Sequence, residues 1–141
     1  MTSIFAVRKQ PMEADLVLLI VRVIVGYAFM IHGWGKIQSP LTWMGTGSPV
    51  PAVFQALAAV AEFGGGLSLI LGLVARLGAM GIACTMTVAV FMHRFVMGDP
   101  FVNLTGGRSY ELAAAYLLIA LVVVILGPGR FSLDRKVFGV N

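Results

Sequence analysis

Four apolar stretches, each close to the roughly 20 residues that cross a hydrocarbon core, tile most of this chain, and few ionisable side chains interrupt them. Breakers set their limits. The first covers 16–34, after Glu13 and Asp15 and before Lys36 and a turn-rich stretch ending in Pro49 and Pro51. The second covers 52–74, and Arg76 marks a short turn before the third at 77–97, which Gly98, Asp99 and Pro100 close. The fourth covers 109–126 and stops at Gly127-Pro128-Gly129, a strong helix breaker.

A soluble helical bundle would carry a polar stripe on each helix to face water. These segments carry almost none. Hydrophobic residues make up 59% of the chain and charged residues 11%, against about 45–50% and about 25% in soluble domains. No period-two alternation of barrel type appears, and open strands in lipid would leave backbone groups without partners. The expected fold is an all-α membrane protein: one domain over 1–141, a four-helix transmembrane bundle.

Lys and Arg concentrate in cytoplasmic loops. Arg8, Lys9, Arg76, Arg130, Arg135 and Lys136 fall on the side shared by the termini, and Lys36, Arg94 and Arg108 on the other. Both termini are therefore expected in the cytoplasm. Arg8 and Lys9 before an apolar run also resemble a secretory leader, but no small-x-small cleavage site follows, so the first helix reads as uncleaved and as the element that directs insertion. Trp34 and Trp43 read as anchors at the outer interface. The net charge of +4 is spread between apolar runs with no basic stripe, which argues against nucleic acid as a partner. Cys84, the one cysteine, permits no internal disulfide and reads as a small buried packing residue.

An ionised group at the centre of a membrane helix costs about 2.5–3.5 kcal/mol on insertion scales, so Arg22 and Glu62 stand out. At 100° per residue Gly26, Phe29, Gly33 and Lys36 fall within about 40° of Arg22, and Gln55, Ala58, Gly66 and Leu69 within about 40° of Glu62. Small residues allow helices to approach closely in lipid. Both stripes should face the bundle interior, with Arg22 and Glu62 forming a buried ion pair that sets register, or with Glu62 free to handle a proton or a ligand.

His32 and His93 each lie about 24 Å from the inner boundary of their helices. With Lys36, Arg94 and Glu111 they would form a polar mouth above Glu62. Such groups suit the headgroup layer. They equally suit a lipophile such as a quinone, whose carbonyls seek His, Lys or Arg donors and whose ring seeks walls such as Phe29, Phe63, Phe91 and Tyr116. Axial haem ligation would require the two histidines to converge across a flat macrocycle, and haem is the weaker reading. No metal site is assigned, because the short His or Cys spacings of metal motifs are missing. Nucleophile, Walker and dinucleotide motifs are also missing, and Gly64-Gly65-Gly66 lies inside a membrane helix.

Several of these segments together resemble the DoxX family of small four-helix membrane proteins. They are Arg22, the His32-Gly33-Trp34-Gly35-Lys36 end of the first helix, Gly47-Ser48-Pro49, Glu62 before three glycines, Leu71-Gly72-Leu73 with Arg76, and Tyr110-Glu111. The most specific piece is the closing stretch GPGRFSLDRK from Gly127 to Lys136, and the likeness covers about residues 14–138. The resemblance implies a bacterial inner-membrane protein associated with oxidoreductase or oxidative-stress systems, since the family is named after a subunit linked to quinone reduction. It supplies no reaction, so enzyme activity stays open. Expected partners are the lipid bilayer, membrane or peripheral redox subunits, and further copies of the chain. The alternatives are a non-catalytic scaffold and a carrier of a small lipophile or solute.

Overall fold

The computed structural model describes residues 7–139, which are all-helical with no strand among them. The helices are α1 (Met12–Gln38), α2 (Ala52–Leu71), α3 (Ala75–Phe91), α4 (Glu111–Leu126) and a short α5 (Leu133–Phe138). A π turn over Met92–Val96 prolongs α3. α1, α2 and α3 with its π turn are long and apolar enough to cross a membrane. α4 has 16 residues, about 24 Å of helix at 1.5 Å per residue.

α1 runs past its expected limits at both ends. Glu13 and Asp15 lie in its first turn and Lys36 in its last, charges that oppose the helix dipole at each end and so extend the helix instead of stopping it. α2 stops at Leu71 because Gly72 takes a left-handed conformation with φ +64°, and the N–H groups of Gly72 and Leu73 fold back onto Leu69 O and Ser68 O.

Consecutive helices run antiparallel, α1 against α2, α2 against α3 and α3 against α4, while α1 and α4 touch far less. Most of each expected inward stripe is buried, Arg22, Gly26, Phe29 and Gly33 on α1 and Gln55, Glu62, Gly66 and Leu69 on α2, while Lys36 and Ala58 are half-buried. Around them Val25, Phe29, Leu69, Ala79, Ile82, Met86 and Val123 form the apolar core. Large apolar side chains such as Leu16, Ile24, Phe54, Leu57, Val88 and Ile125 are exposed, which is the arrangement hydrocarbon demands and water penalises. Cys84 joins that outer face and is not a core residue.

The three consecutive glycines of α2 divide their labour. A Cβ on Gly66 would lie 2.6 Å from Gly26 O on α1, and a Cβ on Gly65 would lie 2.9 Å from Gly78 O on α3, while Gly64 faces open space beyond Val60. Two helix backbones therefore approach α2 at adjacent residues, which is how helices gain packing contact where lipid supplies no hydrophobic drive. Gly66→Ala should lower stability in detergent by about 1–3 kcal/mol, the usual cost of overpacking, and Gly64→Ala should leave the thermal unfolding midpoint unchanged; equal effects would refute the assignment.

Candidate functional site

At the end where the described chain begins and stops, charged side chains close the helix ends. The last four carbonyls and first four N–H groups of any helix lack partners in the helix itself. Arg22 answers for α2: its Nη1 donates to Leu69 O at 3.0 Å, and its Nη2 donates to Phe131 O at 2.6 Å. Arg76 Nε donates to Val124 O in the last turn of α4 at 3.2 Å. Asp134 accepts the N–H groups of Val74 and Ala75 at the start of α3, at 2.6 and 3.0 Å.

Asp15 lies in the first turn of α1 and holds Arg130 at 2.6 Å. Cations thus sit at the two C-termini and anions at the two N-termini, the signs that the helix dipoles favour. The closing stretch that looked most distinctive in the sequence supplies Phe131 O, Asp134 and Arg130, so it is a plug that locks beneath the bundle. Val7 N–H also donates to Gly139 O at 3.2 Å, which places the two ends of the described chain side by side.

The opposite end follows the same rule of sign but is held by loops. Lys36 lies in the last turn of α1, His93 and Arg94 lie in the π turn, and Glu111 lies in the first turn of α4. Buried Gln55 clamps the 39–51 connection. Its Oε1 accepts from Met44 N at 3.1 Å, its Nε2 donates to Val50 O at 2.9 Å, and its backbone carbonyl accepts Trp43 Nε1 at 2.9 Å. That clamp sets the Trp43 ring 4.5 Å from Lys36 Nζ. Trp43 is therefore a fixed wall as well as an interface residue.

Glu62 is the carboxylate that no helix end explains. It lies halfway along α2, is 4% exposed, and bonds Lys36 Nζ at 2.5 Å. The Lys36 side chain is 24% exposed and that of Glu62 6%, so the pair is reached from the lysine side. The Trp34 and Phe63 rings, 5.8 Å apart, come from the same two helices.

The expected Arg22–Glu62 pair does not form. The antiparallel register puts Phe63 beside Gly33, so Glu62 lies one residue further along, within reach of Lys36 and about 18 Å along α1 from Arg22. The expected polar mouth is likewise divided. His93 Nδ1 bonds Asp99 Oδ2 at 2.7 Å, and Arg108 Nε approaches the other Asp99 oxygen at 3.5 Å. His32 is exposed with its ring 6.3 Å from Phe29, and no bond or ring contact joins the two histidines. Arg94, beside the Phe95 ring, and Glu111 are exposed. Of the expected walls, Phe29 and Tyr116 meet edge-on at 5.0 Å, whereas Phe91 pairs with Phe95 on the outer face. Among the described residues no group of three or more His, Cys, Asp or Glu has the arrangement of a metal site.

Sequence reasoning took Asp99 as part of a helix stop and missed its bond to His93. The signal was the glycine before it: Gly98 at φ +70° turns the chain so that Asp99 N–H returns to His93 O at 2.9 Å. Asp15, Arg130 and Asp134 went unassigned as partners, because only the packed bundle brings the two ends of the chain together.

A family model described as DoxX matches residues 17–94. The chain is 34% identical over 123 residues to an uncharacterized protein of Haemophilus influenzae, covering 86% of this chain and 90% of that one. It is 29% identical over 127 residues to the inner membrane protein YqjF of Escherichia coli, covering 86% and 92%. It is 30% identical over 132 residues to the inner membrane protein YphA of the same organism, covering 86% and 90%. No solved structure matches the chain.

Asp134 also holds Val74 at φ +45°, a left-handed conformation costly for a β-branched residue. Asp134→Ala should lower stability by about 2–4 kcal/mol, since two charge-assisted hydrogen bonds are lost. Adding Val74→Gly should restore part of the loss; thermal unfolding of the single and double variants in detergent measures both effects.

Proposed function

The chain belongs to the DoxX family and is a multi-pass protein of the bacterial inner membrane, and from that premise we propose that it is an accessory subunit of a quinone-linked redox or oxidative-stress system. In this reading a quinone-type lipophile engages the Lys36–Glu62 pair. The supporting observation is the position of Glu62: a buried carboxylate halfway along α2, where no terminus of its own helix calls for a charge, is an expense in lipid that packing alone does not require. Lys36 carries three N–H donors, one of which is committed to Glu62. A carbonyl arriving from the bilayer takes another, and Trp34, Trp43 and Phe63 supply flat apolar walls. Glu62 fixes the ammonium and takes up charge changes at the ligand.

A short-chain quinone analogue titrated into the detergent-purified protein should quench tryptophan fluorescence, because the Trp43 ring lies 4.5 Å from Lys36 Nζ. Glu62→Gln and Lys36→Leu should each weaken binding at least tenfold, about 1.4 kcal/mol. Absence of quenching in the wild type, or unchanged affinity in both variants, would overturn the reading.

The scaffold reading has its own support in the inner-end charges, every one of Asp15, Arg22, Arg130 and Asp134 being engaged in joining elements. Under it Glu62→Gln would leave partner activity intact in a folded protein, whereas Arg22→Leu, which removes the bonds to Leu69 O and Phe131 O, would lower stability.

Orientation belongs to the same proposal, with both termini in the cytoplasm. Arg22 aside, the end holding Val7 and Gly139 carries Arg8, Lys9, Arg76, Arg130, Arg135 and Lys136, six basic residues, against Lys36, Arg94 and Arg108, three, at the other. That is the positive-inside pattern. A carboxy-terminal green fluorescent protein fusion should fluoresce and an alkaline phosphatase fusion at the same point should be inactive; the reverse result would invert the topology.

A further inference from the structure

Between the segment leading into α1 and the segment leaving α4 there is an open cavity of about 460 Å³, within the size range of small-molecule sites. Its lining is basic, with Arg8, Lys9, Arg130 and Arg135 against the single carboxylate of Asp15. That carboxylate is already spent. Asp15 holds Arg130 through both oxygens, accepting its backbone N–H at 3.0 Å and its Nε at 2.6 Å. Arg130 Nη2 donates to Gln10 O at 3.3 Å, and Gln10 Nε2 donates to Leu126 O at 2.9 Å, which fixes the rim to the end of α4.

The floor is therefore a guanidinium held in place, with Nη1 unbonded among the described residues. Arg8, Lys9 and Arg135 are exposed and carry no ion pair among those residues. Three unpaired cations and one pre-oriented arginine around a single opening favour a bound anion.

The surroundings identify which anion. Met12, Leu16, Leu126 and Val137 are exposed apolar residues on the elements that bound the cavity. The opening therefore lies where hydrocarbon-facing helix gives way to the polar end of the bundle, the depth of lipid headgroups. We propose that this cavity binds the phosphodiester headgroup of an anionic phospholipid, with its phosphate on Arg130 and Arg135 and its acyl chains along the exposed flanks of α1 and α4. Lys9 and Arg8 hold the outer oxygens. Basic pockets at the ends of membrane helices recognise anionic headgroups in this way.

The test uses the full chain purified in neutral detergent, with thermal unfolding followed while phosphatidylglycerol, phosphatidylcholine or inorganic phosphate is added. Phosphatidylglycerol should raise the unfolding temperature, phosphatidylcholine should not, and millimolar inorganic phosphate should give less than a quarter of the shift. The double variant Arg8→Gln with Arg135→Gln, at exposed positions free of ion pairs, should fold normally and lose at least half the shift. Lys136→Gln, an exposed cation outside the cavity, should keep it. Equal shifts with both lipids, or a double variant that matches the wild type, would overturn the proposal. So would a Lys136→Gln variant that loses as much as the double variant, since bulk charge would then explain the effect. Full reproduction by inorganic phosphate would make this a free-anion site and refute the lipid assignment.

Discussion

Hydrocarbon offers no hydrogen bonds, so the backbone groups that this chain carries into the membrane need partners within the chain. That constraint organises the end of the bundle beside Val7 and Gly139 more strongly than charge pairing does. Arg22, Arg76 and Asp134 bind backbone groups that α2, α4 and α3 leave open at their termini. One guanidinium thus ends one helix and reaches the tail, and one carboxylate starts another helix from the tail. The short turn between α2 and α3 is stable only because these contacts surround it: a side chain on Gly72 would collide with the Arg22 guanidinium and with Ser132.

Close backbone approach is the second consequence. With lipid tails as apolar as leucine, helices gain little by hiding leucine from lipid, and contact distance decides association. Gly26, Gly33, Gly65 and Gly66 lie where neighbouring backbones pass, and this spacing fixes the register that brings Glu62 to Lys36 and keeps it from Arg22. The ion pair that forms is therefore a product of glycine packing. Electrostatic attraction alone would not have selected it.

The spans and their inward stripes were legible in the sequence, because segment length, breakers and a period of 3.6 depend only on local chemistry. Arg22, Gly26, Phe29 and Gly33 share a face whatever they meet. Partner choice was not legible, because it depends on the sliding offset between antiparallel helices, which Gly33 against Phe63 determines. Depth counted along each helix set His32 and His93 level without giving the rotation of either helix, and rotation leaves one exposed and the other on Asp99. The closing stretch was distinctive in the sequence for a reason that only the fold exposes: Arg130 acts on α1, 115 residues away, and Asp134 on α3, 59 residues away.

The two ends of the bundle differ in how fully their polar groups are used. At the end beside Val7 and Gly139 the helix termini are capped by side chains and the tail is wedged beneath them, so movement there would strip several buried groups at once. At the opposite end the helix termini are held by loops through Gln55 and Asp99, and α3 loosens into a π turn, a form of helix that recurs at functional positions. Lys36 keeps part of its surface open there although its partner is buried. The proposed quinone site would draw on that asymmetry, with a rigid base at the end of α1 that holds Asp15 and Arg22 and, at the other end, Lys36 with donors beyond the one given to Glu62. Gly26, Phe29 and Gly33 pack along the helix between them.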